Sequence, residues 1–189
     1  RSWGEETGTI AGFIATEEDS GIPDGEVSVS GDVPQTVMTN NEGVYTIGGI
    51  SIDSDFSVIP QLNTNPLNGV TTFDLILISK HILGVTPLNS PYKMIAADVN
   101  RSNTVSTLDL IQIRKLILNI TTEFPNNTSW RFVEAAYEFP APSNPWAEYF
   151  PELINVNNFE GDLAADFVGV KIGDVNGSVD LGAQSADNR

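Results

Sequence analysis

The chain of 189 residues contains no cysteine and a single histidine, His81. Without thiols there is no disulfide scaffold, no thiolate zinc site and no cysteine nucleophile. A Ser-His-Asp hydrolase would have to use His81, which falls inside a predicted helix beside Lys80 and reads as a histidine at the edge of a core. Positive charge is scarce as well. Nine Lys and Arg stand against 25 Asp and Glu, a formal net charge of −16. A nucleic-acid binder needs a basic footprint, and there is none. No apolar run approaches the ~18 residues of a membrane span. Apolar residues nevertheless make up 40% of the chain, enough for a packed core. Only 18% of residues are charged, so the acidity is unbalanced rather than dense. Such acidity suits either hard-cation binding or a solvated surface. No signal peptide opens the chain at Arg1, which fits a processed chain or a segment of a longer one.

The most specific feature is an internal repeat. Shifted by 35 residues, Asn63–Gly84 aligns with Asp98–Asn119, and 11 of 22 positions are identical. Each copy reads as a loop followed by a helix. In the second, Leu110, Ile111, Ile113, Leu116, Ile117 and Leu118 give a wide apolar face. Thr71-x-x-Asp74 and Ser106-x-x-Asp109 fit capping boxes with Asp in the acidic place. Gly84 and Asn119 stand where the helices end, because both residues tolerate left-handed backbone. The plain reading is a helical hairpin whose aspartates favour the helix N-termini.

The residues upstream of the second helix carry more. From Asp98 to Asp109, oxygen side chains fall at positions 1, 3, 5, 9 and 12: Asp98, Asn100, Ser102, Ser106 and Asp109. Thr104 at position 7 would supply a carbonyl. This is the spacing of a 12-residue EF-hand loop, which gathers six to eight oxygens around one calcium ion. Asn103 replaces the usual glycine at position 6, where positive φ is needed. By the same offset the first loop is Asn63, Asn65, Leu67, Gly69, Thr71 and Asp74. It keeps one carboxylate, Asp74, and Leu67 cannot be a ligand. With so few carboxylates, affinity falls on the order of 10⁻⁴–10⁻³ M, the range of extracellular modules. Gly173-Asp174-Val175-Asn176 echoes Ala97-Asp98-Val99-Asn100 and could be an additional metal loop through Asp174 and Asn176. Ser185 stands at its position 12, and a turn after a strand is the favoured reading.

The repeat divides the chain. Residues 1–62 read as short strands and frequent turns, an antiparallel sandwich. Its core candidates are Ile10, Phe13, Val27, Val29, Val44, Tyr45, Ile47, Phe56 and Val58. Residues 63–122 are the duplicated loop-helix unit. Residues 123–180 are a β-rich extension, with strands predicted from Trp130 and over 166–172 and irregular chain at 140–145, where three prolines fall. Residues 181–189 read as a tail or linker. The fold class is therefore α+β in several modules.

Two loop-helix units ending in Asp at position 12 resemble the type I dockerin domain. That likeness implies half EF-hands paired about a pseudo-twofold axis. It implies calcium held by Asp98, Asn100, Ser102, Thr104 and Asp109, and by Asn63, Asn65, Gly69 and Asp74. It also implies a cohesin partner met at the helix starts, here Thr72-Phe73 and Thr107-Leu108. Residues 10–13, 21–29 and 39–47 resemble the carboxypeptidase regulatory-like or CnaB-like sandwich, an Ig-like β-sandwich. The Lys–Asn isopeptide bond of some relatives is excluded, since residues 1–62 contain no lysine. The arrangement is similar to modules of large secreted surface proteins of Bacteroidetes-type bacteria.

These features predict a non-catalytic module, secreted or at the cell surface. It would be stabilised by calcium and link or assemble larger units: an adhesin, a fibre or a tandem repeat. The expected partners are other protein modules or copies of itself. Two alternatives are a dockerin that binds a cohesin and a carbohydrate-binding module using Trp130, Tyr137, Trp146, Tyr149 and Phe150. Glu134, Glu138, Glu148 and Glu152 read as a solvated face rather than a glycosidase pair. Asn100, Asn119, Asn126, Asn127 and Asn176 head Asn-x-Ser/Thr sequons, of which Asn119, Asn126 and Asn127 are the candidate glycosylation sites.

Overall fold

The structure, a computed structural model, describes residues 4–31 and 34–183. It is an α+β protein with two sheets and three helices. Its strands are β1 (Thr7–Ala15), β2 (Glu26–Ser30), β3 (Gln35–Met38), β4 (Val44–Ser51), β5 (Phe56–Gln61), β6 (Trp130–Glu134), β7 (Ile154–Val156), β8 (Leu163–Ala164) and β9 (Phe167–Lys171). The helices are α1 (Thr72–Ile82), α2 (Pro91–Ala97) and α3 (Thr107–Ile117). Among the described residues, no helix is long and apolar enough to cross a membrane.

The chain forms two compact units, and neither is contiguous in sequence. The first holds Arg1–Gln61, Phe132–Tyr137 and Pro151–Gly169; the second holds Leu62–Arg131, Glu138–Phe150 and Val170–Arg189. Of the segment 123–180, residues 132–137 and 151–169 fall in the first unit and the rest in the second. Of the 181–189 tail, residues 181–183 form a single 3-10 turn and the rest lies outside the described residues.

In the first unit β2, β4 and β5 alternate buried and solvent-facing residues, the period-2 signature of strands covering a core. One sheet runs β4-β1-β9-β6 with β8 also against β1, and the other runs β3-β2-β5-β7. The first sheet is mixed, not antiparallel as the turns suggest, because β8 and β9 return to lie parallel to β1. Local turn chemistry cannot register a strand that arrives from more than 100 residues away. Ile10, Val27, Val29, Tyr45, Ile47, Phe56 and Val58 are buried as expected, and Ile14 joins them. Phe13 and Val44 are not: they pair across β1 and β4 and face outward, 36% and 43% exposed. The inward positions of that stretch belong to Ile14 and Tyr45, and the strand period sends their neighbours to the other side.

In the second unit α1 packs on α3, with Ile78, Ile113 and Leu116 fully buried. Both helices begin with reciprocal capping boxes, Thr71 with Asp74 and Ser106 with Asp109. Both end alike: Gly84 (φ 69°) and Asn119 (φ 59°) take the left-handed position, and the N–H groups of Val85 and Ile120 each donate back to Lys80 and Lys115 carbonyls at 2.9 Å. Helix α2 is announced only by its Ser90 cap and by Pro91 in the first turn, which pre-sets helical φ. It buries Met94, Ile95, Ala96 and Ala97 and delivers the chain directly to Asp98.

Candidate metal centre

The loop between α2 and α3 folds around two fully buried carboxylates, Asp98 and Asp109. Asp98 Oδ1 accepts the Ser102 N–H at 2.9 Å and Oδ2 accepts the Asn103 N–H at 2.8 Å. Asn100 Oδ1 accepts the same Ser102 N–H at 3.1 Å. Ser102 Oγ lies 3.3 Å from the Thr104 carbonyl oxygen. Asp109 reaches back across the loop: Oδ1 accepts the Asn100 N–H at 3.2 Å, and Oδ2 accepts the Ser106 N–H at 2.8 Å. Arg101 (φ 57°) and Asn103 (φ 63°) make the tight turns. Asn103 thereby does what glycine does at that position. Burial pushes the Asp109 carboxyl up, as does the neighbouring Asp98 charge, while hydrogen bonds from Ser106 and Asn100 oppose both.

The first helix has a loop of the same design, but its chain does not come from residues 63–68. It comes from residues 174–178. Asp174 Oδ1 accepts the Ser178 N–H at 3.2 Å and Oδ2 accepts the Val179 N–H at 2.8 Å, matching Asp98 with Ser102 and Asn103. Asn176 Oδ1 accepts the Ser178 N–H at 3.2 Å, matching Asn100. Ser178 Oγ donates to the Gly69 carbonyl at 3.0 Å, matching Ser102 with Thr104. Asp74 stands in for Asp109: Oδ2 accepts the Thr71 N–H at 2.8 Å, and Oδ1 accepts the Val175 N–H at 2.9 Å. Asp74 is fully buried and Asp174 nearly so. Burial pushes the Asp174 carboxyl up, against backbone hydrogen bonds from Ser178, Val179 and Asn176, and the Asp74 charge pushes it further.

The turn that Asp74 closes is formed by residues 174–178, and the hydrogen bonds of Asn63 and Asn65 run elsewhere. Asn63 Oδ1 accepts the Ser129 N–H at 2.9 Å, and Asn65 Nδ2 donates to the Ala183 carbonyl at 3.1 Å. Both tie neighbouring chain to the unit. Asp74 closes the Asp174 loop in space; Ser185, its position 12 by spacing, lies outside the described residues. Gly69 sits where the two pieces meet. Its φ is +78°, and a Cβ there would come within 2.7 Å of Val179 Cα and 2.8 Å of Asp174 Oδ2.

Three further residues support the two loops, and loop spacing does not reveal them. Asn68 clamps the incoming segment from both sides: Oδ1 accepts the Asp180 N–H at 3.0 Å and Nδ2 donates to the Asp180 carbonyl at 2.8 Å. Asn127 Nδ2 donates to the carbonyls of Asp98 and Val99, both at 3.3 Å. That nitrogen is the atom a glycan would occupy, and here it braces the loop. Asn119 and Asn126 stay exposed. Lys171, 5% exposed, donates Nζ to the Pro66 carbonyl at 2.8 Å. Burial lowers its ammonium pKa to about 7, partly offset by the charges of Asp174 and Asp74.

Each loop thus gathers two carboxylates, an Asn and a Ser side-chain oxygen, and a loop carbonyl, all hard oxygen donors. Among the described residues no group of three or more His, Asp or Glu side chains gathers into a metal cluster. The donor set excludes soft metals and fits a hard divalent cation, with amide, hydroxyl and main-chain oxygens completing the shell. Burial raises the Asp109 and Asp174 carboxyls, and the charge of the second carboxylate in each loop, Asp98 or Asp74, adds to it. A cation between the two carboxylates removes that repulsion.

His81 lies half-buried, with Nδ1 accepting the Leu88 N–H at 3.1 Å. Burial lowers its pKa. Of the C-terminal aromatics, Trp130 and Phe150 are buried, and Arg131 stacks over Phe150 at 5.2 Å. Tyr149, 84% exposed, is the outlying one. No family model, no curated protein and no solved structure matches this chain.

Proposed function

We propose that the protein is a non-catalytic, extracellular structural module whose second unit is a dockerin-like pair of calcium loops and whose first unit is a CnaB-like, Ig-like sandwich. In this reading Asp98, Asn100, Ser102, Thr104 and Asp109 hold one ion. Asp174, Asn176, Ser178, Gly69 and Asp74 hold the other. The observation that carries the reading is the recurrence of one hydrogen-bond pattern in two loops of different connectivity. Asp98 and Asp174 fold their loops alike, and Asp109 and Asp74 close them alike.

Calcium supplies cross-linking in place of the disulfides that a chain without cysteine cannot form. The split loop joins residues about 100 apart, so an ion there closes a long loop and constrains the unfolded chain most. Weak sites of this kind fill where calcium is millimolar, which supports a place outside the cell. The role is to link or assemble subunits of a surface protein, adhesin or fibre. A second reading, docking of a cohesin-type module, is favoured by Phe73 and Leu108, which stand 52% and 59% exposed in the first turns of α1 and α3.

Thermal melting in calcium and in chelator tests the reading. Asp98→Ala and Asp109→Ala lower the melting temperature clearly more in calcium than in chelator, where only the lost hydrogen bonds count. Equal losses in both would mean that the carboxylates act only as helix caps and turn formers.

A further inference from the structure

The charges of this chain are partitioned by unit. The first unit carries 16 of the 25 carboxylates and one cation, Arg1. The second carries nine carboxylates and the other eight Lys and Arg. Of those eight, Lys80, Arg114 and Lys115 lie exposed on α1 and α3.

On each helix the cation sits in an apolar stripe. Phe73, Ile76, Lys80 and Leu83 are spaced i, i+3, i+7, i+10, one face of a 3.6-residue helix. Leu108, Ile111, Lys115 and Leu118 repeat that face 35 residues on. All eight side chains are exposed; Ile76 is 50% and Leu83 75% accessible. A solvated helix face ordinarily carries polar residues, and an apolar one marks a docking surface.

The first unit offers a complement. Phe13 and Val44 form an exposed cross-strand pair on β1 and β4. The turns at that end of the strands carry Glu17, Glu18 and Glu42, all exposed. The Ile14 N–H donates to the Gly43 carbonyl at 2.8 Å, which places Glu42 next to the pair.

We infer that the helix stripes of one copy dock on the outer β1-β4 face of a second copy, with Lys80, Arg114 and Lys115 against Glu17, Glu18 and Glu42. The contact is heterologous, each copy giving one face and receiving on the other, so it builds head-to-tail rings or open chains. This rests on the assembly role proposed above and names the partner as the chain itself.

Sedimentation velocity of the full chain in calcium, over a concentration series, tests it. The chain associates beyond the dimer, and raising NaCl from 50 to 500 mM weakens association about tenfold through screening. Ile76→Glu with Ile111→Glu leaves a monomer, and so does Glu17→Lys with Glu18→Lys and Glu42→Lys. All five positions are exposed, so each variant should keep its melting temperature within a few degrees. Mixed together, the two variants form a one-to-one complex through their intact faces. A wild-type chain that stays monomeric overturns the inference, as does a mixture that fails to pair. Calcium counted in the same samples separates the two ideas. Bound calcium without association removes the self-docking alone; association without bound calcium removes the calcium reading alone.

Discussion

The Val175 N–H donates to Asp74 Oδ1 at 2.9 Å and joins positions 101 residues apart in the chain. Through this bond the cap of α1 becomes the closing residue of a loop that begins at Asp174. An aspartate that serves only as a cap bonds its own first turn; Asp74 bonds its own turn with one oxygen and a distant strand end with the other. The same division of labour holds for Asp109, whose Oδ2 caps α3 and whose Oδ1 meets Asn100.

Gly69→Ala should injure the split loop selectively. A Cβ there meets main chain at Val179, which cannot swing aside, and φ is +78°. We predict a loss of roughly 1–3 kcal/mol from strain alone, with weaker calcium binding at one site and no change at the other. Denaturant melts with and without calcium measure it. Unchanged stability would mean that residues 174–180 do not cross Gly69.

Asn127→Ala should act on the other loop. Removing Nδ2 leaves the Asp98 and Val99 carbonyls without that donor, at a cost of about 1 kcal/mol. The loss falls on the Asp98 site alone, read as a change in one of two calcium affinities. A glycan found on Asn127 of secreted protein would contradict this role.

Stability against pH should carry the mark of Lys171. Its pKa is lowered from 10.5 to about 7 in the fold, so the unfolded chain binds more protons between those values. Its contribution is present above pH 10.5 and is lost as pH falls to about 7. In chelator, wild-type stability should rise from pH 7 to 10, with Lys171→Met flattening the rise. Asp109 and Asp174 act at lower pH with opposite sign. Their raised pKa values mean that the calcium-free fold loses their contribution as pH rises through the carboxylate range. Calcium, which needs them ionised, should bind less tightly in acid. A flat wild-type profile between pH 7 and 10 would show that Lys171 is not buried as a neutral amine.

Much of the second unit was legible because its information is local. The repeated unit is 22 residues long, the capping boxes span four and the Asp98–Asp109 loop twelve, and the structure forms both capping boxes and closes that loop with a hydrogen bond from Asn100 to Asp109. The first loop was legible only as two incomplete halves. Asp74 was a closing residue without a loop, and Asp174-Val175-Asn176 was a loop start without a closing residue. The deficits are complementary, and that was the available signal; pairing them needs tertiary structure that no periodicity encodes. The outward turn of Phe13 and Val44 was hidden for a related reason, since an apolar residue on a strand does not state which face is inward. The strand over 166–172 was legible and appears as β9, but its parallel pairing with β1, like that of β8, was unreadable because that register is set by β1 and not by a turn.

Disabling either loop should cost about the same in calcium. At a hundredfold excess over the dissociation constant, one ion contributes about 2.7 kcal/mol. For a chain of this size that is roughly 5–10 °C in melting temperature. Asp174→Asn and Asp98→Asn should each show it, and the same pair in chelator should differ from wild type by only a degree or two. A loss confined to Asp98→Asn would mean that the split loop holds no ion.

The most direct measurement is the number of calcium ions per chain, by calorimetric titration of wild type and three variants. The account predicts two ions for wild type, one for Asp98→Asn, one for Asp174→Asn and none for the double variant. Two ions retained by Asp174→Asn, or fewer than two bound by wild type at millimolar calcium, would contradict it.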